Sequence, residues 1–121
     1  MRNHQRLEVW KNAIDLVELI YRLTATFPVA ERYGLSAQLR RAAVSVPSNL
    51  AEGAARSSPR EFLRYLEVAR SSLVEIETQI VIARRLAMAP NDANLDDSLE
   101  RVFARLSALI KTITLKVAKK P

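Results

Sequence analysis

The chain has 121 residues, of which 49% are hydrophobic and 26% are charged, a composition typical of one globular domain. It contains no cysteine, which excludes disulfides, thiolate catalysis, zinc knuckles and iron–sulfur clusters, and two glycines are too few for the usual glycine-rich phosphate loop. Nineteen Lys and Arg residues against 13 Asp and Glu residues give a net charge of +6, which suits a polyanionic partner without requiring one.

The first predicted helix covers about residues 8–27. Two adjacent apolar stripes run along it at steps of four and three residues, so we expect this helix to bury a wide face. The stripes comprise Val9, Ala13, Leu16, Ile20, Leu23 and Phe27, and beside them Trp10, Ile14, Val17 and Tyr21. Pro28 is expected to end the helix, because the residue before a proline is disfavoured in the helical conformation.

The second predicted helix covers about residues 36–55, with Ser36 as its cap. Pro47 lies in the middle of its apolar pattern, so the segment is expected either to kink there or to break into two short helices. The small apolar residues that continue the pattern as far as Ala55 favour the kink.

The third predicted helix covers about residues 59–88 and has the clearest signals. Ser58, Pro59 and Glu61 form an N-cap serine, a first-position proline and the glutamate of a capping box. Apolar residues then follow at alternating steps of four and three, the spacing of helix-bundle packing. They are Phe62, Leu66, Ala69, Leu73, Ile76, Ile80, Ala83 and Ala87.

The fourth predicted helix covers about residues 94–118, with carboxylates in its first turn and lysines at its end, as the helix dipole favours. Short links between successive helices favour antiparallel neighbours. The sequence therefore predicts an all-α fold, an up-and-down antiparallel four-helix bundle formed by a single domain over residues 1–121.

The sequence argues against an enzyme and against any metal or cofactor. The single histidine, His4, lies in a polar N-terminal tail, whereas di-metal carboxylate bundles need Glu-x-x-His pairs on two helices. Glu75 and Glu77 are two residues apart and therefore point in different directions around a helix. Neither a signal peptide nor a membrane-spanning run is recognisable, which predicts a cytoplasmic protein without a membrane partner.

Two polar stripes on the second and third helices are the first candidate site. They are either solvated faces or a partly buried polar network that joins the two helices or faces another subunit. The network is favoured, because the stripe on the third helix mixes polar with large apolar residues. The candidate residues are Arg41, Ser45, Asn49, Glu52 and Arg56, and across from them Tyr65, Ser72, Glu75 and Gln79.

Basic residues of the fourth helix are the second candidate site, a nucleic-acid contact. The alternative is an ordinary solvated, salt-bridged surface. No base-stacking platform is expected, because most of the large aromatic residues lie on core stripes; they are Trp10, Tyr21, Phe27, Phe62 and Phe103. The candidate contact residues are Arg101, Arg105, Lys111, Lys116, Lys119 and Lys120.

Three segments of the chain resemble one known family. They are Leu7 to Lys11, the run from Leu39 to Gly53, and Glu61-Phe62 with Leu66 and Ala69-Arg70; the sequence Ser-Val-Pro-Ser-Asn-Leu-Ala-Glu-Gly is the most specific part. Over about residues 7–88 the chain resembles the small four-helix-bundle proteins first described from intervening sequences of bacterial 23S ribosomal RNA genes.

The resemblance implies a bundle that assembles as a ring-like homopentamer. It also implies kinship with the accessory subunit of diversity-generating retroelements, a basic pentamer that works with a reverse transcriptase and RNA. No catalytic residue comes with the family. The polar residues that it carries onto this chain are interpreted as structural or subunit-interface residues; they are Arg41, Ser45, Asn49, Glu52 and Glu61.

Two functional hypotheses follow. The favoured one is a non-catalytic homo-oligomeric binding module whose basic surface contacts RNA or a nucleic-acid-processing protein. The other is a purely structural or protein-interaction oligomer whose positive charge serves solubility alone.

Overall fold

The structure, a computed structural model, describes residues 1–119 and contains four α-helices. Their bounds are Glu8–Thr24 for α1, Leu35–Ala54 for α2, Pro59–Arg85 for α3 and Ala93–Lys119 for α4, with short 3-10 turns at Asn3–Arg6 and Val29–Glu31. Each helix packs against the next, α4 also packs against α1, and within residues 1–119 no contact joins α1 to α3 or α2 to α4. The predicted all-α four-helix bundle is confirmed.

The core lies along the axis that the four helices share. Leu16, Leu39, Leu73 and Leu106, one from each helix, are at most 1% exposed. Burying a leucine side chain stabilises the fold by about 1.5–3 kcal/mol, so these aliphatic layers are the main source of stability. None of the helices within residues 1–119 is both long and apolar enough to cross a membrane.

Helix α1 ends at Thr24, three residues before the predicted end. The hydroxyl of Thr24 donates to the carbonyl oxygen of Ile20 at 2.8 Å, and the hydroxyl of Thr26 donates to that of Leu23 at 2.7 Å. Such side-chain bonds compete with continuation of the helix. Phe27 nevertheless stays buried in the turn that follows.

Helix α2 begins one residue earlier than predicted, and Ser36 is not its cap. Gly34 occupies the N-cap position, and the Glu31 side chain accepts a hydrogen bond from the Leu35 backbone N–H at 3.1 Å. The helix then runs through Pro47 without breaking into two, and Pro47 itself is buried. Close packing of α2 against both α1 and α3 holds the segment together despite the hydrogen bond that proline removes.

Helix α3 ends at Arg85 rather than Met88, because the chain turns through a left-handed residue. Ala87 has φ = 59°, and the Met88 N–H donates to the Ala83 carbonyl at 2.9 Å, the long bond of a Schellman motif. Ala87 is therefore exposed and does not continue the apolar seam as predicted. Helix α4 then begins at Ala93. In its first turn the Asp92 carboxylate accepts hydrogen bonds from two backbone N–H groups at 3.0 and 3.2 Å.

Ala87→Gly is expected to raise the free energy of unfolding by about 0.5–1 kcal/mol. The left-handed conformation costs a residue with a Cβ about 1–2 kcal/mol, and glycine avoids this cost. Because glycine also has greater freedom in the unfolded chain, about half of the stabilisation is lost again. Urea unfolding followed by circular dichroism measures the change. Ala104→Gly, the same substitution at an exposed position inside α4, is the control and should lose about 1 kcal/mol. Equal losses in both variants would contradict the prediction.

Candidate functional site

Three polar side chains join α2 to α3 near the middle of the bundle. The hydroxyl oxygens of Ser45 and Ser72 are 2.9 Å apart, and the Asn49 amide donates to the Ser45 carbonyl at 2.8 Å and to its hydroxyl at 2.9 Å. All three side chains are half-buried. We refer to Ser45, Asn49 and Ser72 as the polar cluster.

Two further bonds extend the contact toward both ends of the α2–α3 pair. The Gln79 amide donates to the Gln38 side-chain oxygen at 3.2 Å. At the other end, the Arg56 guanidinium donates to the Tyr65 hydroxyl at 2.6 Å and lies 4.9 Å from the centre of its ring. The side-chain oxygen of Gln79 is buried and has no hydrogen-bond partner among the described residues.

Arg41, Glu52 and Glu75 are exposed, and their side chains make no hydrogen bond or ion pair with another residue of the described chain. Arg41 and Glu75 border a shallow cleft of about 230 Å³ beside Ser45 and Ser72. Glu52 instead borders a depression next to the N-terminal 3-10 turn. The two predicted polar stripes thus contact each other only along the α2–α3 packing interface. The side chains of Arg41, Glu52 and Glu75 point away from it and remain accessible.

Asn49→Ala is expected to lower the free energy of unfolding by about 1–2 kcal/mol, because it removes two half-buried hydrogen bonds to Ser45. Glu52→Ala, in the same helix but exposed, should change it by less than about 0.5 kcal/mol. Urea titrations of both variants make the comparison. If Asn49→Ala is as neutral as Glu52→Ala, the polar cluster adds nothing to stability.

An exposed apolar stripe follows the outer side of the same helix pair. Val68 and Ile82 on α3, and Leu86 directly after its end, are 49%, 43% and 62% exposed. At about 100° per residue they lie within roughly 40° of one another around α3, on the side that Glu75 shares. We call these three residues the α3 apolar stripe.

The described basic residues of α4 are all exposed, but they do not form one patch. Around the helix axis, Arg101, Arg105, Lys116 and Lys119 fall within about 60°, whereas Lys111 is about 80–120° away from the first two. The predicted contact residue Lys120 lies outside the described residues.

Arg105 differs from the other basic residues of α4 because α1 already pairs with it. Its guanidinium lies 3.8 Å from the Glu8 carboxylate and donates to the Asn12 side-chain oxygen. No ion pair engages the other four within residues 1–119. The positive charge left for a partner is therefore carried by Arg101, Lys111, Lys116 and Lys119.

Two tyrosines are more exposed than the sequence indicated. Tyr21 was predicted to lie on a core stripe but is 42% exposed, with the Arg40 guanidinium 4.5 Å from its ring centre. Tyr33 is 89% exposed in the segment between α1 and α2. The exposure of Tyr33 was not predicted, because a loop residue has no periodicity from which exposure can be inferred.

The histidine and carboxylate side chains of the described chain do not cluster in one place. His4 packs edge-on against Trp10, with 5.1 Å between the ring centres. Glu75 and Glu77 are both exposed. Within residues 1–119 no three or more His, Asp or Glu side chains are grouped so as to hold a metal ion.

The fold and its surfaces define a basic all-α four-helix-bundle protein. A family model described as 23S rRNA-intervening sequence protein matches residues 5–111. The chain belongs to this family. A search of curated proteins gave no match. The family match includes the polar cluster and the α3 apolar stripe and ends at Lys111, before the last two described lysines of α4.

Proposed function

We propose that the protein is a non-catalytic, cytoplasmic, homo-oligomeric binding module whose basic α4 surface contacts RNA or a ribonucleoprotein. The observation that supports this most is the unpaired charge of α4. After Glu100 the chain has no acidic residue, and Lys111, Lys116 and Lys119 are exposed with no ion pair in the described residues. The part of α4 after Glu100 thus carries positive charge alone, whereas charges of both signs usually alternate along a solvated helix face.

Such a surface would recognise the phosphate backbone of the nucleic acid. Lysines act as point charges that neutralise phosphates and release counterions, so affinity depends on salt and little on base sequence. The described basic side chains of α4 have no aromatic partner, and the exposed tyrosines lie on α1 and in the segment between α1 and α2. Charge neutralisation is therefore the expected source of affinity at α4.

A salt titration of binding to single-stranded RNA tests the proposal. With four phosphates neutralised per site, the slope of log affinity against log salt should be near −2.8, and raising salt from about 50 to 200 mM should weaken binding roughly fifty-fold. Replacing Lys116, Lys119 and Lys120 with glutamine should flatten the slope while leaving the circular dichroism spectrum and oligomer mass unchanged.

The matched control neutralises basic residues that are already paired. Lys11 lies 3.4 Å from the Glu8 carboxylate and Arg22 lies 3.7 Å from that of Glu18, so Lys11→Gln with Arg22→Gln should leave the salt slope nearly unchanged. Undetectable binding at low salt contradicts the RNA proposal. A slope that the triple lysine variant does not change contradicts the assignment of the contact to α4.

The partner that we propose for the outer face of α2 and α3 is a second copy of this chain. The α3 apolar stripe supports a protein contact, and the polar cluster and Arg41 beside it supply a polar rim of the kind that subunit interfaces have. The number of five subunits comes from the family resemblance. A ring would repeat the basic α4 surface in every subunit, so weak phosphate contacts would add through avidity.

The second candidate function is a structural or protein-interaction oligomer without a nucleic-acid partner. The α3 apolar stripe favours it, because a protein contact accounts for these residues and an RNA contact does not. An intact oligomer that binds no RNA at low salt would support this second function over the first.

A further inference from the structure

A cleft of about 420 Å³ lies at the end of the bundle where α1 passes into α2. Its walls include an apolar part and a polar part; the residues that matter are Thr24, Phe27, Pro28, Arg32, Ser36 and Arg40. The volume is within the range of small-ligand sites. The cleft lies at the opposite end of the bundle from Lys116 and Lys119, because α4 runs from the end near this cleft to the other one.

The Arg40 guanidinium is held in place by contacts that leave some of its N–H donors unused. Its Nε donates to the Thr24 hydroxyl at 2.8 Å, its Nη2 contacts the Tyr21 carbonyl at 3.4 Å, and its guanidinium stacks on the Tyr21 ring. No carboxylate pairs with it among the described residues, and its remaining N–H groups are free. A guanidinium fixed in this way presents a preorganised charge to the cleft.

Ser36 and Arg32 complete the polar wall. The Ser36 side chain belongs to a residue that is only 7% exposed, and its hydroxyl has no hydrogen-bond partner within residues 1–119. Ser36 lies in the first turn of the 20-residue helix α2, where the helix dipole favours an anion. Arg32 is exposed, has no ion pair in the described chain, and packs near the Tyr33 ring at 6.0 Å.

The nearest carboxylate does not line the cleft. Glu31 turns to the start of α2, where it accepts from the Leu35 N–H at 3.1 Å. The cleft wall therefore combines Arg32, Arg40 and the hydroxyl of Ser36, with no acidic residue. All three side chains can donate hydrogen bonds and two of them are positively charged, which is the chemistry that recognises an oxyanion.

We propose that this cleft binds a phosphate monoester, with Arg32, Arg40 and Ser36 contacting the phosphoryl oxygens and Phe27 and Pro28 packing against the rest of the ligand. Two sources share this chemistry: a free mononucleotide and the 5′-phosphate of an RNA. The first goes beyond the proposed function, whereas the second rests on it.

Adenosine 5′-monophosphate, inorganic phosphate and adenosine, each titrated into the full chain by calorimetry, test the site. Adenosine 5′-monophosphate and phosphate should bind and adenosine should not. Arg32→Gln and Ser36→Ala should each weaken binding of the monophosphate about tenfold, because each removes a donor to a charged group. Glu31→Gln, which keeps the capping oxygen and removes a nearby negative charge, should strengthen it.

Arg60→Gln is the matched control, because Arg60 is exposed in the first turn of α3 at the far end of the bundle. It should leave the affinity for adenosine 5′-monophosphate unchanged. Adenosine binding as tightly as its monophosphate, no binding of the monophosphate at millimolar concentration, or equal effects of Arg32→Gln and Arg60→Gln would each overturn the proposal.

RNA oligonucleotides with a 5′-phosphate or a 5′-hydroxyl distinguish the two sources. Tighter binding of the phosphorylated RNA, lost in Arg32→Gln and kept in the triple lysine variant of α4, assigns the site to an RNA end. Equal binding of both RNAs together with binding of adenosine 5′-monophosphate assigns it to a free nucleotide. If RNA binds with the expected salt slope but the monophosphate does not bind, the cleft proposal fails and the α4 proposal stands.

Discussion

Gly53→Val is expected to lower the free energy of unfolding by about 3 kcal/mol, at the upper end of the usual cost of overpacking. A Cβ at Gly53 would lie 2.8 Å from the Tyr65 Cβ, 2.9 Å from the Phe62 ring and 3.3 Å from the Phe62 carbonyl oxygen. The Tyr65 Cβ and the Phe62 carbonyl are fixed to the α3 backbone, so the clash is relieved only by moving α3 away from α2. Gly53→Ala should lose about 2 kcal/mol, even though alanine is the better helix former by about 1 kcal/mol.

Gly34 is the control, as the other glycine in the chain. A Cβ there would meet the end of the Glu31 side chain at 2.9 Å, a flexible group that can move at the cost of its hydrogen bond from the Leu35 N–H. Gly34→Ala should therefore lose about 1 kcal/mol, the usual cost of removing a helix cap. Urea unfolding at one fixed chain concentration compares the variants, since the proposed assembly would make stability concentration-dependent. Equal losses at the two glycines would show that the α2–α3 contact at Gly53 is looser than the structure indicates.

The helices were predictable because their apolar residues repeat with a helical period. The seam of α3 from Leu66 to Ala83 is buried as predicted, and Ser58 caps that helix through a bond from the Glu61 N–H at 3.2 Å. The helix ends were less predictable. No glycine marks the Schellman turn at Ala87, and the capping of α2 depends on Glu31, five residues before the predicted start of that helix.

The sequence showed which residues belong to the candidate sites, but not which of them contact one another. That Ser45 meets Ser72 depends on the register between two helices, which no local pattern records. Arg105 donates to Asn12, 93 residues away in the chain, and its ion pair with Glu8 offsets one charge of the predicted basic surface. The cleft at Arg32, Ser36 and Arg40 was missed for the same reason: its walls come from α1, the connecting segment and α2 together.

Ile82→Glu is expected to convert the proposed homo-oligomer into single chains. The proposed pentamer would have a mass of about 68 kDa, five times that of the 13.6 kDa chain, and light scattering coupled to gel filtration would report the loss directly. Ile82 is 43% exposed and belongs to the α3 apolar stripe. Burying a carboxylate against an apolar partner surface costs several kcal/mol, and in a ring this cost would recur at each interface.

Val81→Glu is the matched control, because Val81 is the adjacent residue, 48% exposed, and points about 100° away around α3. The same charge at this position should leave the mass unchanged if the α3 apolar stripe forms the interface. Dissociation by Val81→Glu alone would place the interface on the side of α3 that carries Val81. A wild-type chain that elutes at the mass of one copy in moderate salt would refute the proposed oligomer itself. The effects of Ile82→Glu and Val81→Glu on the mass would then have no meaning.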